Sequence, residues 1–188
     1  MNIERKQIIR KELLKKRNSL TEEDCKNYSK MIMKQLLSLN KYQKAESILI
    51  YASYLSEVST FEIVEHALNS NKKVFCPKVL SPGIMEFYKI VSLEDIILGY
   101  KNIPEPKLTE FPFQTENSSH ALMIMPLVSF DSYKNRLGYG GGFYDRYLQR
   151  FPNLERIGLA FECQRCNYLP TEETDQKLDF IITEKGIF

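Results

Sequence analysis

Four of the chain's eight glycines fall within five residues, at 138 and 140 to 142, in Asn135-Arg136-Leu137-Gly138-Tyr139-Gly140-Gly141-Gly142-Phe143-Tyr144-Asp145-Arg146-Tyr147-Leu148. The apolar run Leu122-Met123-Ile124-Met125-Pro126-Leu127-Val128 before it reads as a buried strand. After it, Phe143, Tyr147, Leu148 and Phe151 share a helix face. A glycine cluster between strand and helix opens backbone angles closed to other residues and lets a ligand approach the main chain. A helix beginning near Gly142 would turn its free N–H groups and the positive end of its dipole toward the same space. The chemistry expected is anion binding, phosphate above all. Arg136 and Arg146 add charge on either side, and Asp145 can hold a divalent cation through oxygen. No Gly-Lys-Ser/Thr follows, so this is not a Walker motif, and the Gly-x-Gly-x-x-Gly dinucleotide spacing is broken. The plainer alternative is a tight turn, which rarely needs three consecutive glycines.

The remaining chain supplies an α/β setting. Residues 4 to 18 read as a helix on Ile8, Ile9, Leu13 and Leu14. Thr21 caps a second helix with acids in its first turn, running to about Asn40. Strands are expected at 47–52, 73–77, 85–90, 122–128, 156–161 and 178–183, and helices at 61–69 and after the glycines. Ser59 or Thr60 is the expected cap of the helix at 61. Residues 98 to 106 form a proline-stiffened loop, and 107 to 121 read as a polar, irregular segment able to cover a pocket. Strands alternating with helices predict a mainly parallel sheet flanked by helices in three layers, preceded by two N-terminal helices, in a single domain over 1–188.

Two further positions attract attention. Lys6 and Arg10 lie four apart on one helix face, which is either a solvated basic stripe or a grip for phosphate. Glu57 falls in the loop leaving the first strand's carboxyl end, where open α/β sheets place ligands; a solvated loop acid is the alternative.

Composition narrows the partners. A formal charge of +2 is too small for a nucleic-acid footprint. No apolar run approaches the ~20 residues of a membrane helix, and the charged N-terminus lacks a signal-peptide core. We expect a cytoplasmic protein. The four cysteines include one close pair, Cys163 and Cys166, without a second metal-like half elsewhere, so reduced thiols are expected. No coiled-coil seam calls for a second copy, and a monomer is expected.

Arg136-Leu137-Gly138-Tyr139-Gly140-Gly141-Gly142-Phe143-Tyr144-Asp145-Arg146-Tyr147-Leu148 resembles the signature of the 5-formyltetrahydrofolate cyclo-ligase family, also called 5,10-methenyltetrahydrofolate synthetases. The likeness extends through Lys6-x-x-x-Arg10, the segment Ile50 to Thr60, Asn102-Ile103-Pro104-Glu105-Pro106, Met125 to Asp131, and Thr171 to Asp175 followed by Leu178-Asp179 and Ile182-Thr183-Glu184. It implies an enzyme that uses ATP and magnesium to close 5-formyltetrahydrofolate, with or without a polyglutamate tail, into 5,10-methenyltetrahydrofolate. It also implies ADP and phosphate as products and an iminophosphate intermediate.

The resemblance assigns residues as follows. Lys6, Arg10, Arg136 and Tyr144 form the catalytic set. These four bind ATP together with Leu137, Gly138, Tyr139, Gly140, Gly141, Gly142 and Phe143. Ala52, Glu57, Tyr139, Gly140, Gly141, Gly142 and Phe143 bind folate, with Glu57 accepting from the pterin's donor edge. Asp145 and Asp175 hold magnesium. Two departures stand out: Tyr139 occupies a position that varies between polar and basic residues, and Phe143 replaces a common tyrosine. The rival readings are a sugar-phosphate isomerase of similar architecture, which would need neither ATP nor the N-terminal basic pair, and a nucleotide-binding or RNA-binding module without catalytic activity, whose binding would fall steeply with salt.

Overall fold

The computed structural model describes residues 2–99, 102–108, 112–114 and 120–188. Three helices open it: α1 (Asn2–Asn18), α2 (Glu22–Ser38) and α3 (Asn40–Lys44). The first half then continues through β1 (Ser47–Ile50), α4 (Phe61–Asn69), β2 (Lys73–Ser81), β3 (Ile84–Ile90), β4 (Ile96–Leu98) and β5 (Pro104–Pro106). The second half holds β6 (Ala121–Pro126), β7 (Ser129–Phe130), β8 (Arg136–Leu137), α5 (Phe143–Arg150), β9 (Glu155–Leu159), β10 (Phe180–Thr183) and β11 (Gly186–Ile187).

Among the described residues, seven strands form one sheet in the order β11-β10-β9-β6-β1-β2-β3. The five from β10 to β2 are parallel, and each edge carries an antiparallel strand. The central strands β1 and β6 read Ser-Ile-Leu-Ile and Ala-Leu-Met-Ile-Met-Pro, near-continuous apolar runs because both sheet faces are covered. The strand period of two divides their side chains between two cores. Ile48, Ile50, Leu122 and Ile124 pack with Ile32 and Leu36 of α2 and with Ile63, Val64 and Ala67 of α4. Leu49, Met123 and Met125 pack with Phe87 and with Tyr147 and Leu148 of α5 on the other face. Each such aliphatic side chain, fully buried, contributes about 2 kcal/mol. The expected three-layer α/β arrangement is the one observed.

Several local expectations change. Helix α1 does not turn its isoleucines inward: Ile3 and Ile8 are each 66% exposed, and its buried residues are Lys6, Leu13 and Arg17. Spacings of seven and four put those three on one face, and the surface they meet is built from polar loops. Thr21 caps α2 as expected, accepting from the Asp24 N–H, but α2 ends at Ser38 and a short α3 follows. Thr60 sits at the start of α4 without capping it. Its hydroxyl instead donates to Tyr51 O at 2.7 Å and accepts from the Ser53 N–H, tying down the loop after β1. The proline-rich segment is not wholly loop, since β5 pairs antiparallel with β4. Pro104 and Pro106, two apart, share one side of a two-stranded ribbon, which can leave that side unpaired. The anticipated irregular segment 107–121 lies largely outside the described residues.

A hairpin also intervenes between β6 and the glycines. Strands β7 and β8 pair around Asp131. This buried carboxylate accepts from the N–H groups of Tyr133, Asn135 and Leu169 and from the Asn135 side chain, all at 2.9–3.0 Å. Strand β8 then delivers the chain directly into Gly138.

The topology positions the site. From β1 the chain builds outward through β2 and β3, whereas from β6 it builds the other way through β9 and β10. The carboxyl ends of β1 and β6 therefore flank the switch point, where open α/β sheets bind ligands.

Candidate functional site

At that end of the sheet a cavity of about 1100 Å³ opens between α1, the glycine loop, the first turn of α5 and the acidic loop before β10. The loop's shape depends on glycine at two positions. Gly142 is the N-cap of α5 at φ +64°, ψ +14°, and Gly140 has φ +98°. Both lie where side chains with a Cβ are disfavoured. Arg146 pins the loop from the first turn of α5, donating to Gly141 O and, at 2.9 Å, to Gly83 O. The unpaired first N–H groups of α5 and its dipole then belong to the cavity wall.

Five basic side chains line the same cavity, Lys11 and Arg146 among them, and the other three are Lys6, Arg10 and Arg136. Lys6 is buried, with Nζ 2.7 Å from Asp175 Oδ2 and 3.4 Å from Glu172 Oε2. Arg10 donates from Nε to Gly138 O at 2.8 Å, and its guanidinium lies against Gly140. The Arg136 side chain is only 4% exposed; its Nη2 donates to Asp145 Oδ1 at 2.7 Å, and it sits 5.6 Å from the Tyr144 ring centre. Its Nε is buried without an acceptor among the described residues. An orphaned guanidinium N–H is costly to leave unmatched, and an anion such as phosphate is a fitting partner for it.

Asp145 and Asp175 line the cavity too. Each commits one oxygen to a cation: Asp145 Oδ1 to Arg136, and Asp175 Oδ2 to Lys6. Asp145 Oδ2 and Asp175 Oδ1 have no hydrogen bond among the described residues. No three His, Cys, Asp or Glu side chains converge among the described residues. A cation here would draw most ligands from water and phosphate, which fits magnesium better than zinc or calcium.

The second group of residues gathers around Glu57. Its Oε1 accepts from Tyr139 Oη at 2.6 Å and its Oε2 from the Tyr54 N–H at 2.9 Å. Burial raises the Glu57 carboxyl above the usual carboxylate range, while the bonds from Tyr139 and Tyr54 and the charge of Arg17 oppose that rise. Burial, followed by the charge of Glu57, pushes both Tyr139 and Tyr144 upward. These phenols therefore stay protonated at neutral pH and act as donors, not bases. Glu57 lines a second, smaller cavity of about 240 Å³ against α2. Ala52 is buried and lines neither cavity.

Cys163 and Cys166 line neither cavity. Burial raises both thiols, and Cys166 Sγ contacts Phe130 O at 3.4 Å.

With this geometry in view, comparison with known proteins is decisive: residues 2–184 match the family model described as the 5-formyltetrahydrofolate cyclo-ligase family. The chain belongs to the 5-formyltetrahydrofolate cyclo-ligase family. A 5-formyltetrahydrofolate cyclo-ligase of Haemophilus influenzae is 36% identical over 183 residues, covering 95% of this chain and 97% of its own. The Escherichia coli cyclo-ligase is 29% identical over 177 residues, with 92% and 97% covered. The solution structure of Aquifex aeolicus 5,10-methenyltetrahydrofolate synthetase superposes with TM-score 0.85 at 29% identity, over 97% of this chain and 91% of that one. The Mycoplasma pneumoniae synthetase, at 24% identity and TM-score 0.75, shares the fold over 95% of this chain and 98% of that one.

Sequence reasoning about this cyclo-ligase family member missed Arg17. It reaches Tyr139 and Ser56 across the fold and completes the group around Glu57. Its spacing of seven from Arg10 was the available signal, but a lysine- and arginine-rich helix end conceals it. Structure also adds a structural duty to Asp145, whose charge balances the buried Arg136. Asp145→Asn is expected to weaken magnesium binding. It should also cost about 1–2 kcal/mol, a drop of a few degrees in Tm. Thermal melts without nucleotide, beside a magnesium titration of activity, check this. An unchanged Tm would mean that Arg136 does not depend on that charge.

Proposed function

We propose that this enzyme closes 5-formyltetrahydrofolate to 5,10-methenyltetrahydrofolate while converting ATP to ADP and phosphate, and that residues 1–188 act as one cytosolic, monomeric catalytic domain. The observation that carries this reading is the convergence of Lys6, Arg10, Arg136 and the glycine loop on one cavity. The buried, unmatched Arg136 Nε points to an anion there.

The formamide oxygen is a poor leaving group. It attacks the γ-phosphorus of ATP and ADP departs, leaving an iminophosphate with an electrophilic formyl carbon. The folate N10 lone pair then attacks that carbon, N10 loses its proton, and phosphate leaves with the former formyl oxygen. Catalysis of such a transfer is mainly positioning and charge neutralisation. In this reading Lys6, Arg10 and Arg136 neutralise phosphate charge, and the glycine loop's N–H groups hold the phosphates in register. Glu57 accepts from the pterin's donor edge, and the Tyr144 phenol donates a hydrogen bond. Magnesium, when bound by Asp145 and Asp175, would add further neutralisation of phosphate charge.

Mixing purified protein with 5-formyltetrahydrofolate, ATP and magnesium is expected to raise absorbance in the methenyl-folate band only when all three are present. ATP binding without that rise would retain the phosphate site and reject the folate reaction in favour of another phosphate-handling chemistry.

A further inference from the structure

Arg17 lies at the last turn of α1, 3% exposed, and makes no ion pair among the described residues. A buried guanidinium normally faces a carboxylate. Here the carboxylate is reached through an intermediary: Arg17 Nη2 donates to Tyr139 Oη at 2.9 Å, and Tyr139 Oη donates to Glu57 Oε1 at 2.6 Å. Arginine has no acceptor atom, so the phenol oxygen must accept from it, and the phenol proton is directed to Glu57. A second bond, Arg17 Nε to Ser56 Oγ at 3.0 Å, fixes the guanidinium against the loop that carries Glu57. The guanidinium also lies 5.7 Å from the Tyr139 ring centre, within cation–π range.

Three segments remote in sequence therefore meet at one side chain: α1, the loop after β1, and the glycine loop. Each is a loop or a helix attached largely by polar contacts. Tyr139 is 52% exposed, so without Arg17 its hydroxyl is free to turn to water. The loop bearing Glu57 has its own fixed shape, with Leu55 at φ +52° and the Glu57 N–H bonded to Tyr54 O at 3.2 Å. That shape presents the carboxylate, but among the described residues its Oε1 accepts a hydrogen bond from Tyr139 alone.

We infer that Arg17 is a positioning residue for folate recognition: acting through the Tyr139 hydroxyl, it orients Glu57 and couples it to the glycine loop without itself touching substrate. This rests on Glu57 being the pterin acceptor. The residue type at 139 belongs to the device, because a phenol both accepts from Arg17 and donates to Glu57. Basic residues, which cannot accept, could not relay in this way.

The device has a pH signature. The groups facing Glu57 are Arg17 from α1, the Tyr54 N–H from its own loop and Tyr139 from the glycine loop, with Tyr51 and Tyr144 electrostatically coupled to it. Cys25, Lys26, Lys30 and Glu62 line the small cavity beside it. Ionised Glu57 accepts on both oxygens and carries the charge that strengthens those bonds, whereas the protonated carboxyl turns one oxygen into a donor, so folate binding weakens as pH falls through its pKa. Burial raises that pKa and Arg17 opposes the rise. Removing Arg17 moves the acid limb to higher pH.

The test compares wild type with Arg17→Met, Arg17→Lys and Tyr139→Phe, measuring both Michaelis constants and the pH dependence of 5-formyltetrahydrofolate binding without ATP or magnesium. Arg17→Met should raise the folate KM roughly tenfold, as for loss of a hydrogen bond to a charged group. The ATP KM should stay within about twofold, and the acid limb should move upward. Tyr139→Phe should match the folate defect, and the Arg17→Met/Tyr139→Phe double variant should be no worse than either single, as for residues acting through one link. Arg17→Lys, restoring charge but not both bonds, should recover part of the loss. Equal effects on both substrates, additive single defects or an unmoved acid limb would overturn the assignment. If Arg17→Met fails to fold, the half-exposed Tyr139→Phe still decides: unchanged folate affinity rejects the link. Wild-type protein that binds the folate but does not cyclise it rejects the reaction and leaves the Arg17 link to be scored from binding alone. Wild-type protein that does not bind it rejects both.

Discussion

Lys6→Met is expected to lower kcat by roughly 10²–10³-fold, the loss seen when one preorganised group facing developing charge is removed. The ammonium is buried at the cavity wall and held by Asp175 and Glu172, so its position is set before any substrate arrives. A charge fixed in this way does most where charge redistributes over the transferring phosphoryl group, which places its effect on kcat more than on KM. The structural cost should be moderate. Glu172 and Asp175 are partly exposed and can turn to water once released, but Lys6 is buried, so losing its charged hydrogen bond should cost about 1–3 kcal/mol. Steady-state kinetics with a thermal melt separate the two effects. A raised ATP KM at unchanged kcat would make Lys6 a ground-state anchor, and native kinetics would remove it from the site.

Gly142→Val is the second large effect. Gly142 sits at φ +64° in the left-handed region, where a residue with a Cβ costs about 1–2 kcal/mol and a β-branched one is an outlier. A Cβ built there would also lie 2.7 Å from Arg146 Nη1. The end of the Arg146 side chain must then shift, which weakens its bonds to Gly141 O and Gly83 O. We expect roughly 2 kcal/mol or more of lost stability, a Tm lower by about 4–8 °C. We also expect a fall of about 100-fold or more in kcat/KM for ATP, because misplacement of positioning groups by ~1 Å is that costly. Gly142→Asn, which tolerates the left-handed region, should recover part of both. Unimpaired ATP kinetics in Gly142→Val would show that the loop's backbone geometry does not hold phosphate.

Much of this was legible in the chain itself. The apolar runs at 47–52 and 122–128, alternating with helices, announced a covered parallel sheet, because burial on both faces demands unbroken hydrophobicity. The glycine cluster announced a turn into a helix, and Gly142 is indeed the N-cap of α5. Helix α1 misled in part, since of the expected face Ile8, Ile9, Leu13 and Leu14 only Leu13 is buried, and Lys6 and Arg17 turn inward beside it. Periodicity identifies the inward face only when the partner surface is apolar, and α1 meets polar loops.

The sequence by itself determined most of the elements and the left-handed turn at Gly142, because strand runs and left-handed turns are decided by residues a few positions apart. Only the tertiary structure decided which charges meet. Lys6 and Asp175 are 169 residues apart, Arg17 and Tyr139 122, and Tyr139 and Glu57 82. Such pairings follow from the order of strands about the switch point and from the hairpin that returns the chain to Gly138. Local propensity carries no information about them, since a lysine or arginine on a helix looks the same whether water or a buried carboxylate faces it.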